Sequence, residues 1–257
     1  MPLGFEYDRA VLPFMGANGF RAHRVHLLSA VEPGLAEEPL VERHSLYVDR
    51  VKGSLSSMGI EVIVHPMNMI DLLEVIKTVS GLIQREKGEG NVVYVNMSAA
   101  GRLASVGSTL AGMAHGVGVY YVKASGYSED KESMLAHGYS ICDELKVLML
   151  ENFRLELPNE VELRVLVELY EGELTTSDLL NLLVKIGVPG FEKYRDSLKR
   201  EDKVRFYMRL DRGILEKLVR ARYVVQRKVG RTTYYRITDS GKYVACISGL
   251  LVDDPHI

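Results

Sequence analysis

Asn96, Ser98 and Arg102 stand two and four residues apart within Asn-Val-Val-Tyr-Val-Asn-Met-Ser-Ala-Ala-Gly-Arg-Leu, residues 91–103 of a 257-residue chain. These are types that hold an anion: an amide and a hydroxyl that donate hydrogen bonds, and a guanidinium that adds charge. The small residues at 98–101 let a ligand come close to the backbone. A hydrophobic run precedes them and an Ala/Gly-rich stretch of helical character follows. In a parallel sheet that order brings the chain to the carboxyl edge, where the next helix presents its unsatisfied N–H groups and positive dipole end. The segment therefore reads as an anion or nucleotide site. It reads equally as an N-cap at Ser98, with Gly107, Ala111 and Gly112 small because helix and sheet pack tightly, and taken alone it does not choose.

Elsewhere the chemistry is sparse. Cys142 and Cys246 are the only cysteines, far apart and in no metal-like or redox spacing, so neither a disulfide nor a zinc site is expected. Spacing assembles no catalytic triad and no metal cluster, and the reading carries no catalytic residue, no metal and no cofactor. No Gly-x-Gly-x-x-Gly follows the first strand, which argues against a dehydrogenase. Ser29, His65, Asn68 and Lys123 follow predicted strands and so point to the same carboxyl edge, but a histidine before Pro66 and a solvated lysine both have ordinary structural roles. Glu6 and Asp8 would repel an anion and read as first-turn acids of the following helix. No apolar stretch reaches the roughly 18 to 20 residues that span a bilayer, and the start lacks the pattern of a signal peptide, so the expectation is a soluble cytoplasmic protein with no membrane partner.

These residues need elements to position them. Up to about residue 150, strands at Arg24–Leu28, Glu61–His65, Asn91–Asn96, Val117–Lys123 and Glu144–Leu150 alternate with helices near Tyr7–Met15, Pro39–Ser57, Met69–Glu86 and Leu103–His115. That alternation implies βαβ units and a parallel sheet covered on both faces, a Rossmann-like α/β domain over residues 1–155. A doubly wound sheet places its first strand centrally, before a loop such as Leu3-Gly4-Phe5-Glu6-Tyr7-Asp8, yet only Met1-Pro2 precede that loop. The expectation is that Met1 lies inside the natural product, the alternative being a very short central strand.

A second, mainly α domain follows over residues 156–257. Its predicted helices are Glu160–Tyr170, Leu179–Ile186 after the capping run Leu174-Thr175-Thr176-Ser177-Asp178, and Val204–Ala221. Residues 187–203 look like an added loop or helix. Tyr223–Val229 and Thr232–Thr238 bracket Gly230-Arg231 as a β-hairpin, and Asp239–Leu251 returns to helix. Three helices, a hairpin and a closing helix make a winged helix-turn-helix. Residues 191–236 hold fifteen Lys/Arg against six acids, a net of +9 in a chain whose total is −2, which leaves −11 elsewhere. Such asymmetry points to a polyanion-binding module. Arg205, Arg209 and Arg212, at i, i+4 and i+7, would share one face of the third helix and enter the major groove of double-stranded DNA, while Arg227, Lys228 and Arg231 on the wing would meet phosphates. A solvated helical face, or a winged module used for protein pairing, is the competing reading.

With both halves in view, the chain resembles archaeal regulators that fuse a CARF domain, the CRISPR-associated Rossmann fold, to a C-terminal winged helix-turn-helix. The resemblance is carried by Leu3-Gly4-Phe5-Glu6-Tyr7-Asp8-Arg9, by Asn96-Met97-Ser98-Ala99-Ala100-Gly101-Arg102-Leu103, by Leu215-Glu216-Lys217-Leu218, and by Tyr234-Tyr235-Arg236-Ile237-Thr238-Asp239-Ser240-Gly241. It implies a homodimer that binds a cyclic oligoadenylate, often cyclic tetra-adenylate, across its two-fold axis. By position, Gly4 and Phe5 would line the pocket from the first loop, and Asn96, Met97, Ser98, Ala99, Gly101 and Arg102 from the second. The family more typically has a Gly-Gly pair where this chain has Ala99-Ala100, and an alanine Cβ narrows the approach. Some such domains slowly cleave their own ring, with Ser98 or Arg102 supplying position and charge, but no general base stands beside the turn. A protein-interaction scaffold with a degenerate pocket is the third reading.

Overall fold

The computed structural model describes residues 1–16, 19–30, 38–152 and 155–251, so residues 252–257 of the expected second domain lie outside the described residues. Two compact units result, Met1–Leu155 and Glu156–Asp253.

In the first unit β1 (Pro2–Leu3) leads into α1 (Tyr7–Val11), followed by β2 (Arg24–Ser29), α2 (Glu38–Ser57), β3 (Glu61–Pro66), α3 (Leu72–Gly88), β4 (Tyr94–Asn96), α4 (Arg102–Ala114) and β5 (Gly118–Lys123). α1 stops short of the expected Met15 because Pro13 lacks an N–H donor, and Leu12–Phe14 close as a single 3-10 turn. α3 starts where Asp71 accepts hydrogen bonds from the N–H groups of Leu73 and Glu74, which places its start later than the expected Met69. β1 pairs in parallel with β2, Pro2 opposite Leu28 and Leu3 opposite Ser29, and β2 pairs in parallel with β3 over six positions. A second three-stranded sheet has β4 parallel to β5. The first strand is thus present but two residues long.

Neighbouring residues on these strands bury opposite faces. Leu27 packs with Leu3, Val11, Val51 and Leu55, whereas Leu28 packs with Val75, Val79, Ile83 and Val95. That is the period of two expected when helices cover both faces, and each such buried side chain contributes about 1.5–3 kcal/mol.

Two features depart from the sequence reading. The strand expected at Glu144–Leu150 is β8 (Lys146–Leu150) and runs antiparallel to β5, so the sheet is mixed. Ahead of it the sequence reading placed no element, yet a small hairpin of β6 (Gly126–Tyr127) and β7 (Ser140–Ile141) encloses α5 (Lys131–His137). These runs are too short to show periodicity, and they are held by tertiary contacts described below.

The second unit is a winged helix: α6 (Glu160–Tyr170), β9 (Leu174–Thr175), α7 (Thr176–Lys185), α8 (Arg200–Leu210), α9 (Glu216–Arg220), β10 (Val224–Val229), β11 (Thr232–Ile237) and α10 (Asp239–Ile247). Asn159 with Glu162 and Thr175 with Asp178 form capping boxes that start α6 and α7. The wing turn Gly230-Arg231 works because Gly230 takes φ +59°, the sign a two-residue hairpin turn requires. β9 adds a third strand beside β11. The helix expected over Val204–Ala221 begins at Arg200 and is interrupted by a wider, π-type turn at Asp211–Leu215. The core gathers Leu166, Leu169, Leu180, Leu183, Leu218 and Tyr235, and it includes Phe191 and Tyr194 from the polar 187–203 stretch.

Candidate functional site

The turn from β4 to α4 lies beside the turn from β1 to α1, and backbone joins them: Gly4 N–H donates to Ala99 C=O at 2.7 Å. Arg9 of α1 adds a side-chain tie, donating to Ser98 C=O at 3.3 Å and to the Tyr121 hydroxyl at 2.7 Å. The buried Arg9 also meets Glu6 at 3.4 Å. Nothing in its local sequence marked it, since a lone arginine on a short helix ordinarily reads as solvated.

The expected ligand residues separate into two sets. Asn96 and Ser98 are buried and spent within the protein. The Asn96 amide donates to Arg9 C=O at 2.9 Å, and its oxygen accepts from the Ser98 hydroxyl at 2.6 Å and the Ser98 N–H at 2.9 Å. Ser98 Oγ in turn accepts from Val122 N–H at 3.0 Å. Ala99 is fully buried, and half-buried Met97 receives the Thr109 hydroxyl on its sulfur. Asn96, Ser98 and Ala99 therefore shape the turn. Polar donors inside a folded turn find protein partners before solvent ones.

Gly101 and Arg102 are exposed. Gly101, not Ser98, is the N-cap of α4, and no side chain caps that helix. Its first-turn N–H groups are left for solvent or an anion, and Arg102 beside them has no ion pair among the described residues. Further along, Gly107 is small because the helices pack tightly: a Cβ on it would lie 2.8 Å from Val75 Cγ1.

Gly4 and Phe5 flank this opening and are half-buried. Phe5 sits among edge-on rings of His44, Tyr47 and Tyr139, at centroid distances of 5.5, 5.3 and 5.8 Å, with the Arg43 guanidinium 4.7 Å above it. Glu6 and Asp8 do more than favour a helix start. Glu6 accepts from the Ser140 N–H and hydroxyl, and Asp8 from Cys142 N–H and His137 Nδ1 at 3.0 Å. They clamp the β6–α5–β7 hairpin against the first loop. Burial raises the Glu6 carboxyl above its ordinary range, against the pull of Arg9 and Ser140, and pushes the Cys142 thiol up to about 11.

The other expected edge residues fall differently. Ser29 and His65 are buried, Lys123 is exposed, and Asn68 uses its side-chain oxygen on Ile70 N–H.

In the second unit, the expected cations lie on α8, on the turn after it and on the wing. Arg209 donates to Gly190 C=O at 2.8 Å and lies over Phe191, and Arg205 packs over Phe206; both line a hollow with Gly190, Glu192 and Lys193. The face of α8 turned to the wing carries Tyr207 and Met208, and a groove of about 560 Å³ runs from there past Asp211 to Gln226, Arg231 and Thr233. Arg212 is exposed within the π-type turn. On the wing, Arg227 is held by Glu173 at 2.6 Å, while Lys228 and Arg231 are exposed with no ion pair among the described residues. Of the six expected cations, Arg209 and Arg227 thus have hydrogen-bond partners within the unit, and Arg205, Arg212, Lys228 and Arg231 are exposed with no ion pair among the described residues.

Residues 1–127 match the family described as HFX_2341_N-like, N-terminal, and residues 161–249 match the DUF6293 C-terminal winged helix domain. The two matches follow one another along the chain without overlap. No curated protein matches its sequence. Among solved structures, Can2 from Sulfobacillus thermosulfidooxidans, in complex with cyclic tetra-adenylate, is similar at 11% identity and a TM-score of 0.41, with 95% of this chain and 60% of that chain covered. Protein VC1899 from Vibrio cholerae is similar at 12% identity and a TM-score of 0.41, covering 97% and 64%. The chain thus spans less than two thirds of either, and likenesses this slight carry no functional argument. No described helix is long and apolar enough to cross a membrane.

Proposed function

We propose that this chain is a ligand-responsive, DNA-binding transcription regulator of the CRISPR-associated kind. Its first domain senses a cyclic oligoadenylate, cyclic tetra-adenylate foremost, and its winged helix domain binds double-stranded DNA. The observation that carries the reading is the uncapped N-terminus of α4, with Gly101 and Arg102 open just beyond the carboxyl end of β4, in a chain that also holds a winged helix domain. A helix start with free N–H groups and an adjacent guanidinium suits a phosphate.

Leu103 and Val106, one turn apart on α4, are 47% and 48% exposed directly beside Arg102. Pairing two copies through that stripe covers it and sets two Arg102 side chains about one axis, matching a two-fold ring of phosphates. The homodimer is part of the proposal. A ligand seated on that axis alters the spacing of two winged domains, and by linkage DNA must alter ligand affinity by the same factor.

Calorimetric titration with cyclic tri-, tetra- and hexa-adenylate tests the sensor, with binding of one ring per dimer expected. No heat and no thermal shift with any ring removes it. Gel shifts on the upstream region of its own gene at two salt concentrations test the other half. A steep fall in affinity with salt is expected from several phosphate contacts, and salt-independent binding favours the scaffold reading.

A further inference from the structure

α8 of the winged unit turns two apolar side chains outward. Phe206 and Leu210 are buried in the core, but Val204 and Met208 are 45% and 46% exposed. Standing at i and i+4, they form one line on the solvent side of the helix. At 3.6 residues per turn, Arg205 and Arg209 fall on one flank of that line, and Tyr207 and Asp211 on the other. The cations are drawn to the flanks. The Arg205 guanidinium lies 4.7 Å over the Phe206 ring, and Arg209 donates to Gly190 C=O beside Lys193 in the same hollow. On the opposite flank, the groove past Asp211 leads to Arg231 of the wing. An apolar line thus runs between two basic shoulders, within the segment whose net charge is +9.

We infer that Val204 and Met208 read thymine methyl groups, so that the DNA taken by this domain is chosen at A·T pairs through apolar contact. The inference rests on the DNA-binding reading above and gives it a sequence class. A double helix has the matching pattern: two walls of phosphate and, between them, a major-groove floor on which each thymine shows its C5-methyl group. A second copy of the chain fits worse, because its own basic shoulders would meet these. Reading of guanine by arginine, the commonest specific contact, has little place on this line, since Arg205 and Arg209 are engaged at the flank. The branched Cβ of Val204 holds it to few rotamers, and the flexible thioether of Met208 fills irregular space, so one side chain fixes the contact and the other adapts to it. Glu201 and Asp211, exposed near the two ends of the line, are repelled by phosphate but accept a hydrogen bond from a cytosine amino group, which suits base edges and not the backbone.

The test compares two forms of one duplex, the upstream region of the chain's own gene amplified with dTTP or with dUTP, since deoxyuridine lacks only the methyl group. The full chain is expected to bind the uracil duplex roughly tenfold more weakly, the scale of two lost methyl contacts. The slope of log affinity against log salt should stay the same for both duplexes, because a methyl group displaces no counterion. Val204→Ser with Met208→Gln is expected to keep Tm, both positions being exposed, and to bind the two duplexes equally. Equal affinity of the parent for both duplexes overturns the inference, as does a thymine preference that survives in the double variant. If that variant also turns from dimer to monomer in sedimentation, the line is a self-association surface. Failure to bind either duplex removes the DNA-binding reading and this inference with it, whereas equal binding removes this inference alone.

Discussion

Asn96 Oδ1 lies 2.6 Å from Ser98 Oγ, and that bond makes the turn after β4 a closed polar knot in place of an open donor pair. Through Ser98 the knot reaches the Val122 N–H of β5, and through Asn96 it reaches the Arg9 carbonyl of α1. Removing one member strands the others. Asn96→Ala is expected to cost about 1–3 kcal/mol and to lower Tm by several degrees, because buried donors and an acceptor lose their partner. Thermal unfolding measures it, and an unchanged Tm would show that Asn96 is free for ligand after all.

Arg102 behaves oppositely. It is exposed at the α4 start, so Arg102→Ala is expected to leave Tm within about a degree while weakening cyclic oligoadenylate binding by roughly ten- to a hundredfold, the scale of one charge-assisted hydrogen bond. Calorimetry on both proteins decides it. Equal affinities would take Arg102 out of the site.

The two classes of cation in the winged unit separate under salt. Lys228→Ala with Arg231→Ala is expected to weaken DNA binding across sequences and to flatten the plot of log affinity against log salt by roughly two units. Arg209→Ala is expected to keep that slope and lower stability instead, since Arg209 ties α8 to Gly190. Gel shifts over a salt series, run beside thermal melts, distinguish these outcomes.

Gly138 closes α5 with φ +88°, and a Cβ there would meet the Phe5 carbonyl and the Tyr7 N–H group. Gly138→Ala is expected to loosen the β6–α5–β7 hairpin from the first loop and to destabilise by about 1–3 kcal/mol. Amide exchange at Tyr139, whose N–H donates to Phe5 C=O at 2.8 Å, reports the loosening directly. Protection equal to the parent would count against the clamp.

Acid should weaken the fold through His26, His65 and Glu86. With both rings neutral, His26 donates through Nε2 to Glu86 at 2.9 Å and accepts at Nδ1 from His65 Nε2, also at 2.9 Å. Burial, then the charge of His26 and of the Met1 ammonium, lowers His65 from 6.5 to about 4. The unfolded chain therefore binds that proton first, and stability falls as pH drops from about 6.5 to 4. For Glu86, burial pushes upward, but hydrogen bonds from His26, Arg24 and Asn91 prevail and hold it at about 2. Its contribution is complete above about 4.5 and lost toward 2, the same sign in a lower window. Tm measured from pH 7 to pH 4 is expected to decline, and His65→Asn to reduce the decline above pH 5. A flat profile would exclude this cluster as an acid-sensitive support.

The amino-acid sequence by itself determined the two-part architecture, most element positions and the place of the key turn. Those properties rest on signals local in the chain: the period of Leu27 and Leu28, the capping pair Thr175 and Asp178, the glycine of the Gly230-Arg231 turn, and the concentration of Lys and Arg in residues 191–236. The tertiary structure alone decided which side chains are free. Asn96 and Arg209 look like ligand and DNA residues in sequence, but each meets a partner from a distant segment, Arg9 and Gly190, that no local pattern reveals. Arg9, Glu6 and Asp8 show the reverse, plain charges that become the clamps of the first loop. A side chain's type sets what it can bond; whether solvent or protein takes that bond depends on chain segments brought together only by folding, which here left Gly101 and Arg102 open and closed the rest of their turn.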